Sequence, residues 1–235
     1  YNPNLIKKIG VSIISTLFLF SRFFKSTFKV IQQKILQIIQ ISAYRGFFSI
    51  LSGSVLGQII ALLSTPIITR LYSPSDFGIF SLFLAVVSLA IVFSTLKYEY
   101  AIPLPKESEK AINLVFLCLV IVIIISMLSF VFFKIIGNYF VDQIENFQDI
   151  IPYFWLVSLC IFGGGIYSVF NYWAIREKCY NDIAKTRLSQ SLAGSIGKIS
   201  LGFFNIIPLG LMIGDFLSRI AGSTNLIYLF LKKFR

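Results

Sequence analysis

Long apolar runs separated by short polar stretches set the pattern of this chain. Six runs, at residues 47–69, 77–96, 111–133, 151–173, 188–207 and 209–231, are each about the length a helix needs to cross hydrocarbon. The sixth qualifies only if it tolerates Asp215 and Arg219, and Pro208 with Gly210 marks the turn before it. The pattern predicts an all-α fold, a polytopic membrane helix bundle of about six transmembrane helices over residues 47–235.

Residues 1–46 read differently. They hold seven Lys/Arg and no acid. The apolar stretch 9–20 is short for a span and is followed by Arg22 and Lys25 without a small-residue cleavage site, so it does not read as a signal peptide. Over 23–41, Phe24, Phe28, Ile31, Ile35, Ile38 and Ile39 recur at helical spacing, with Lys25, Lys29, Gln32, Gln33 and Gln37 between them. That is a basic amphipathic segment expected to lie in the membrane interface, the alternative for residues 1–46 being one extra short membrane helix at 9–20. The first residue is Tyr1, which raises the expectation of a fragment.

Composition agrees with a lipid solvent. Of the 235 residues, 57% are hydrophobic and 13% charged, too few charges for a water-facing surface of this size. The net charge of +11 would suggest nucleic acid in a soluble protein, but the cations lie between apolar runs. No nucleic-acid partner is expected.

With six spans, seventeen Lys/Arg fall on one side, in 1–46, 97–110, 174–187 and 232–235, while Arg70 and Lys134 fall on the other. This positive-inside bias places both ends in the cytoplasm and the chain in an inner (cytoplasmic) membrane. The loop 134–149 on the other side carries Asp142, Glu145 and Asp149.

Enzyme signatures are missing. The sequence has no GxxxxGK[ST] and no His, and its three Cys lack metal-binding spacing. No enzyme activity, cofactor or metal is expected. Gly163, Gly164 and Gly165 fall in mid-span, where they favour close helix packing.

The segment from Thr69 to Gly78 is the most informative. Ser73, Pro74 and Asp76 form a helix-start signature. Thr69-Arg70-Leu71-Tyr72-Ser73-Pro74 with Asp76-Phe77-Gly78 resembles the motif after the first helix of polysaccharide biosynthesis proteins. These are the Wzx-type oligosaccharide (O-antigen) flippases of the multidrug/oligosaccharidyl-lipid/polysaccharide exporter superfamily. Further similar motifs follow in order: Tyr98-Glu99-Tyr100-Ala101-Ile102-Pro103, then Tyr172-Trp173 with Arg176, Tyr180 and Ala184, then Gly210-Leu211 with Gly214, Asp215 and Arg219. The resemblance covers residues 44–231 and leaves residues 1–43 outside it.

The resemblance implies one six-helix lobe of a two-lobe transporter, the N-terminal half. It would move a lipid-linked oligosaccharide, an undecaprenyl-diphosphate-linked repeat unit, for surface polysaccharide or lipopolysaccharide synthesis. A second lobe or a homodimer would complete it, and membrane lipids and polysaccharide assembly proteins are the expected partners. The alternatives are a drug or cation exporter of the same superfamily and a truncated, non-transporting membrane protein.

Ionisable residues inside a membrane are functional candidates by default. Lys198 falls mid-span, where it either faces a cavity as a substrate contact or snorkels or pairs with another charge. Asp215 and Arg219 are four residues apart, a spacing that suits an ion pair and leaves coupling or gating open. Arg70 could meet a diphosphate or snorkel to the interface. Glu99 could act in coupling or pair with Lys97 or a basic loop. Gln58 and Gln190 could hydrogen-bond a sugar or another helix.

Overall fold

The computed structural model describes residues 42–140 and 150–233. Apart from residues 42–46, the amphipathic segment expected at 1–46 lies outside the described residues. The chain divides into two units, 1–48 and 49–235. The packing described below is that of the second, residues 49–235.

Six α-helices are described: α1 (Ser42–Leu71), α2 (Pro74–Phe93), α3 (Ser108–Phe140), α4 (Phe154–Arg176), α5 (Tyr180–Phe203) and α6 (Leu209–Lys233). Single 3-10 turns, Tyr98–Ala101 and Ile151–Tyr153, precede α3 and α4. Among the described residues there is no strand. The fold is an all-helical membrane bundle. Four segments are both long and apolar enough to cross a bilayer: Gly46–Leu71, Pro74–Phe93, Ser108–Ile135 and Ile151–Arg176. α5 and α6 are as long but more polar, because they carry the charged and small residues of the interior.

Local chemistry sets the helix ends. Ser73 accepts from the Asp76 amide at 3.3 Å, and the Ser73 amide donates to Asp76 Oδ2 at 2.8 Å. The two residues thus close a capping box at the start of α2, with Pro74 in its first turn. α2 ends at Phe93, three residues short of the predicted end. Leu96 (φ 50°) and Lys97 (φ 63°) adopt left-handed backbone there and turn the chain out of the helix. α5 begins at Tyr180, eight residues before the predicted span. The stretch 174–187 read as a loop from its charges, yet much of it is helix. Its polar first turns pair Asp182 with Lys185 at 3.3 Å, so charge there marks helix outside the hydrocarbon.

Contacts between helices fix alternating directions. α1 runs parallel to α5: Ser49 donates to Asn181, and Ser64 lies 2.9 Å from Ser195. A Cβ added at Gly53 would stand 2.6 Å from the Ala184 carbonyl oxygen, so only glycine permits this approach. α5 and α6 are antiparallel and the most closely packed pair, with Gly194 against Ser218 and Gly197 against Gly214 and Leu217. α3 and α4 are antiparallel, joined where Ser126 donates to the Ser158 carbonyl at 2.9 Å. Small residues let helices approach where lipid offers no hydrophobic drive. The three central glycines serve this packing: Gly163 and Gly164 take Arg219 and Ile91, and Gly165 takes Val122.

Alternation brings the connections to two ends. At one end Arg176 donates to the Pro105 carbonyl at 3.3 Å, and Lys233 reaches Glu177. At the other, Tyr72 packs against Gly202 and Gly210. Two apolar clusters fill the interior. One holds Tyr72, Phe80, Phe83, Phe154 and Met212, and the other holds Cys118, Trp173, Leu226 and Phe230. The outer surface is apolar as well, with Leu62, Leu63, Leu89, Met127 and Phe132 all exposed. Apolar residues on both faces of the helices are what lipid demands and water would penalise.

Candidate functional site

The interior charges lie where α5 and α6 meet, beside α2 and α4. Arg219 Nε donates to Asp215 Oδ2 at 2.8 Å, and these side chains are only 25% and 18% exposed. That exposure makes the pair part of the packed bundle rather than a surface pair, so each charge depends on its partner. Arg219 also lies against α4: its Nη1 is 3.6 Å from where a Cβ on Gly164 would stand. Ser223, one turn on, donates to the Arg219 carbonyl at 3.0 Å.

Lys198 approaches from α5. Its side chain lies along Gly214, where an added Cβ would meet Lys198 N at 2.9 Å. Its ammonium stands 4.9 Å from the Phe80 ring centroid, a cation–π contact with α2. Asp215 and Arg219 are the charged groups that act on it. Among the described residues it makes no direct ion pair. The arrangement therefore brings Lys198 beside the Arg219–Asp215 pair.

Tyr72, in the turn between α1 and α2, donates to the Lys198 carbonyl at 2.8 Å. Burial first, and then the Asp76 carboxylate, push its hydroxyl up from the ordinary value, so it remains a donor. This bond fixes the turn of α5 that presents Lys198.

The other sequence-predicted residues lie apart from this cluster. Gln190 sits two turns away on α5, its amide packed on Gly222. Gln58 is exposed on α1, and Arg70 is exposed at the end of α1 opposite the basic loops. Among the described residues Glu99 forms no ion pair with Lys97 or with a basic loop. It is 4% exposed and accepts from Thr95, and its charge acts on Cys118 and Tyr172. The left-handed turn at Leu96 and Lys97 carries Glu99 inward, while Lys97 lies over the Tyr100 ring.

Phe80 and Tyr72 were missed as site residues. Tyr72 lies inside the Thr69–Gly78 motif, so a signal existed. Phe80 resembles any other apolar position of its helix.

No curated protein and no solved structure matches the chain. Residues 43–234 match the model of the family described as "Polysaccharide biosynthesis protein". That match takes in all six helices almost to their ends, and the chain belongs to this family of membrane proteins.

Proposed function

We propose that this chain is the N-terminal lobe of a flippase that carries an undecaprenyl-diphosphate-linked oligosaccharide across the cytoplasmic membrane. Membership in a polysaccharide biosynthesis family gives the process. The observation that supports the finer reading is the interior cluster in which Lys198 lies along Gly214, beside the Arg219–Asp215 pair. A surplus positive charge inside a membrane bundle suits an anionic head group that must pass about 30 Å of hydrocarbon. The cluster would shelter the diphosphate while the polyprenyl tail stays in lipid, and no bond is broken. A second lobe, or a second copy, would close the path as in other repeat-built transporters. The clustering of basic connections at one end of the bundle supports both ends of the lobe facing the cytoplasm.

Lys198→Ala is expected to cut delivery of surface polysaccharide by about tenfold or more in a complementation assay, at unchanged protein level, while Lys198→Arg keeps a substantial part. Normal polysaccharide in a well-expressed Lys198→Ala strain would reject Lys198 as a substrate contact. Drug efflux without any polysaccharide defect would favour a drug or cation exporter.

A further inference from the structure

α5 presents a second cation on the face that carries Lys198. Arg187, Ser191, Gly194 and Lys198 follow one another at spacings of four, three and four residues. Eleven residues make about three helical turns, so Arg187 and Lys198 share one face about 16 Å apart. Arg187 lies toward the basic end of the bundle and its side chain is exposed.

Three features separate Arg187 from the cations around it. First, the acids of α5 and of the turn before it are engaged elsewhere: Asp182 holds Lys185, and Glu177 holds Arg176 and Lys233. Arg187 has no acidic partner among the described residues. Second, its guanidinium does not turn away to the interface. It lies over the Tyr167 ring of α4, 5.6 Å from the centroid, where few residues of α4 and α5 meet. Third, the facing surface of α4 holds unmatched polarity. Tyr167 OH and Asn171 Oδ1, one turn apart, are both buried and have no hydrogen-bond partner among the described residues. Such atoms are uncommon in folded proteins and costly where they occur.

We propose that Arg187, Tyr167 and Asn171 form a docking station for the diphosphate and first sugar of the substrate, at the basic end of the path that leads to Lys198. The inference rests on the flippase reading and deepens it. The guanidinium offers a planar fork of donors that fits phosphate oxygens. The Tyr167 hydroxyl reaches the same group, and the Asn171 carbonyl oxygen accepts from a sugar hydroxyl. Lys198 then takes over the diphosphate three turns deeper. Two stations of like charge keep the head group from falling into a single trap, as conduction through any multi-site path requires.

The test uses the full chain purified in detergent, with undecaprenyl diphosphate as the probe and binding followed by native mass spectrometry. Arg187→Ala is expected to weaken binding by about tenfold or more, with Arg187→Lys intermediate. Tyr167→Phe, which keeps the ring under Arg187, checks that any loss comes from the polar atoms and not from misfolding, and it should weaken binding a few-fold. Undecaprenyl diphosphate bound as tightly by Arg187→Ala as by the unmodified chain would overturn the docking station and leave the flippase reading standing. Failure of the unmodified chain to bind the probe would overturn both. Equal competition by phosphatidylglycerol would make this a general anionic-lipid site and overturn the substrate assignment.

Discussion

Asp215→Asn is expected to be the most damaging conservative change in the bundle. It removes the one carboxylate that Arg219 contacts at 2.8 Å and that acts on Lys198, and leaves two cations facing each other inside the helices. Breaking a buried pair by deleting one partner costs about 3–5 kcal/mol, because the other charge stays behind. Arg219 keeps a quarter of its side-chain exposure, so the lower end, about 3 kcal/mol, is the expected size. For a chain of this length that corresponds to a fall of roughly 6–12 °C in Tm. Thermal unfolding of the purified protein in detergent measures it. The double variant Asp215→Asn/Arg219→Gln should recover most of the loss, since it removes the stranded charge together with its partner. It should not recover transport if the Arg219 cation serves the substrate. A double variant as unstable as the single one would show that the cost comes from packing and not from charge.

Gly214→Val should be nearly as severe, for a steric reason. A Cβ at position 214 would lie 2.9 Å from Lys198 N and 3.1 Å from the Gly194 carbonyl oxygen. Both are backbone atoms of α5, so no side chain can swing aside, and the helices must separate. Overpacking typically costs about 1–3 kcal/mol, and a backbone clash at the tightest seam belongs at the upper end. The added methyls of Val also displace the Lys198 side chain, so transport should fall even where folded protein remains. Gly78→Ala is the internal control. It lies in α2 with nothing within 4 Å of an added Cβ, and Ala is favoured over Gly in a helix by about 0.5–1 kcal/mol. Melting curves of the two variants should therefore move in opposite directions. A Gly214→Val protein as stable as the parent would mean that α5 and α6 are not packed as described.

The contrast between these two glycines shows what the sequence could reveal. Length and apolarity suffice to place α1 to α4, because a span must satisfy its own backbone in lipid; α5 and α6 are more polar, although each of the six runs contains most of a helix. They do not place helix ends well where polar residues continue a helix into the headgroup region. The first turns of α5 were lost that way, since Asp182, Lys185 and Arg187 read as a loop.

The candidate site was legible only along single helices. Asp215 and Arg219 share a face by their spacing, and the pair could be read directly. That Lys198 belongs with them depends on which face of α5 meets α6. Gly194, Gly197 and Gly214 decide that, and a glycine in a sequence does not say which neighbour it admits. Glu99 failed as a surface pair for a related reason. The backbone turn at Leu96 and Lys97 is made by residues with no turn signature, and it sends the carboxylate inward to Thr95.

A path past Lys198, Asp215 and Arg219 requires the six helices to cross the membrane in strict alternation, with these residues within the hydrocarbon. Topology reporters fused after Lys106, Lys178 and Asn205 test this most directly. The account predicts the same side of the membrane, the cytoplasm, for the reporters at Lys106 and Lys178, and the opposite side for the reporter at Asn205. Reporters at Lys106 and Lys178 on opposite sides would contradict it.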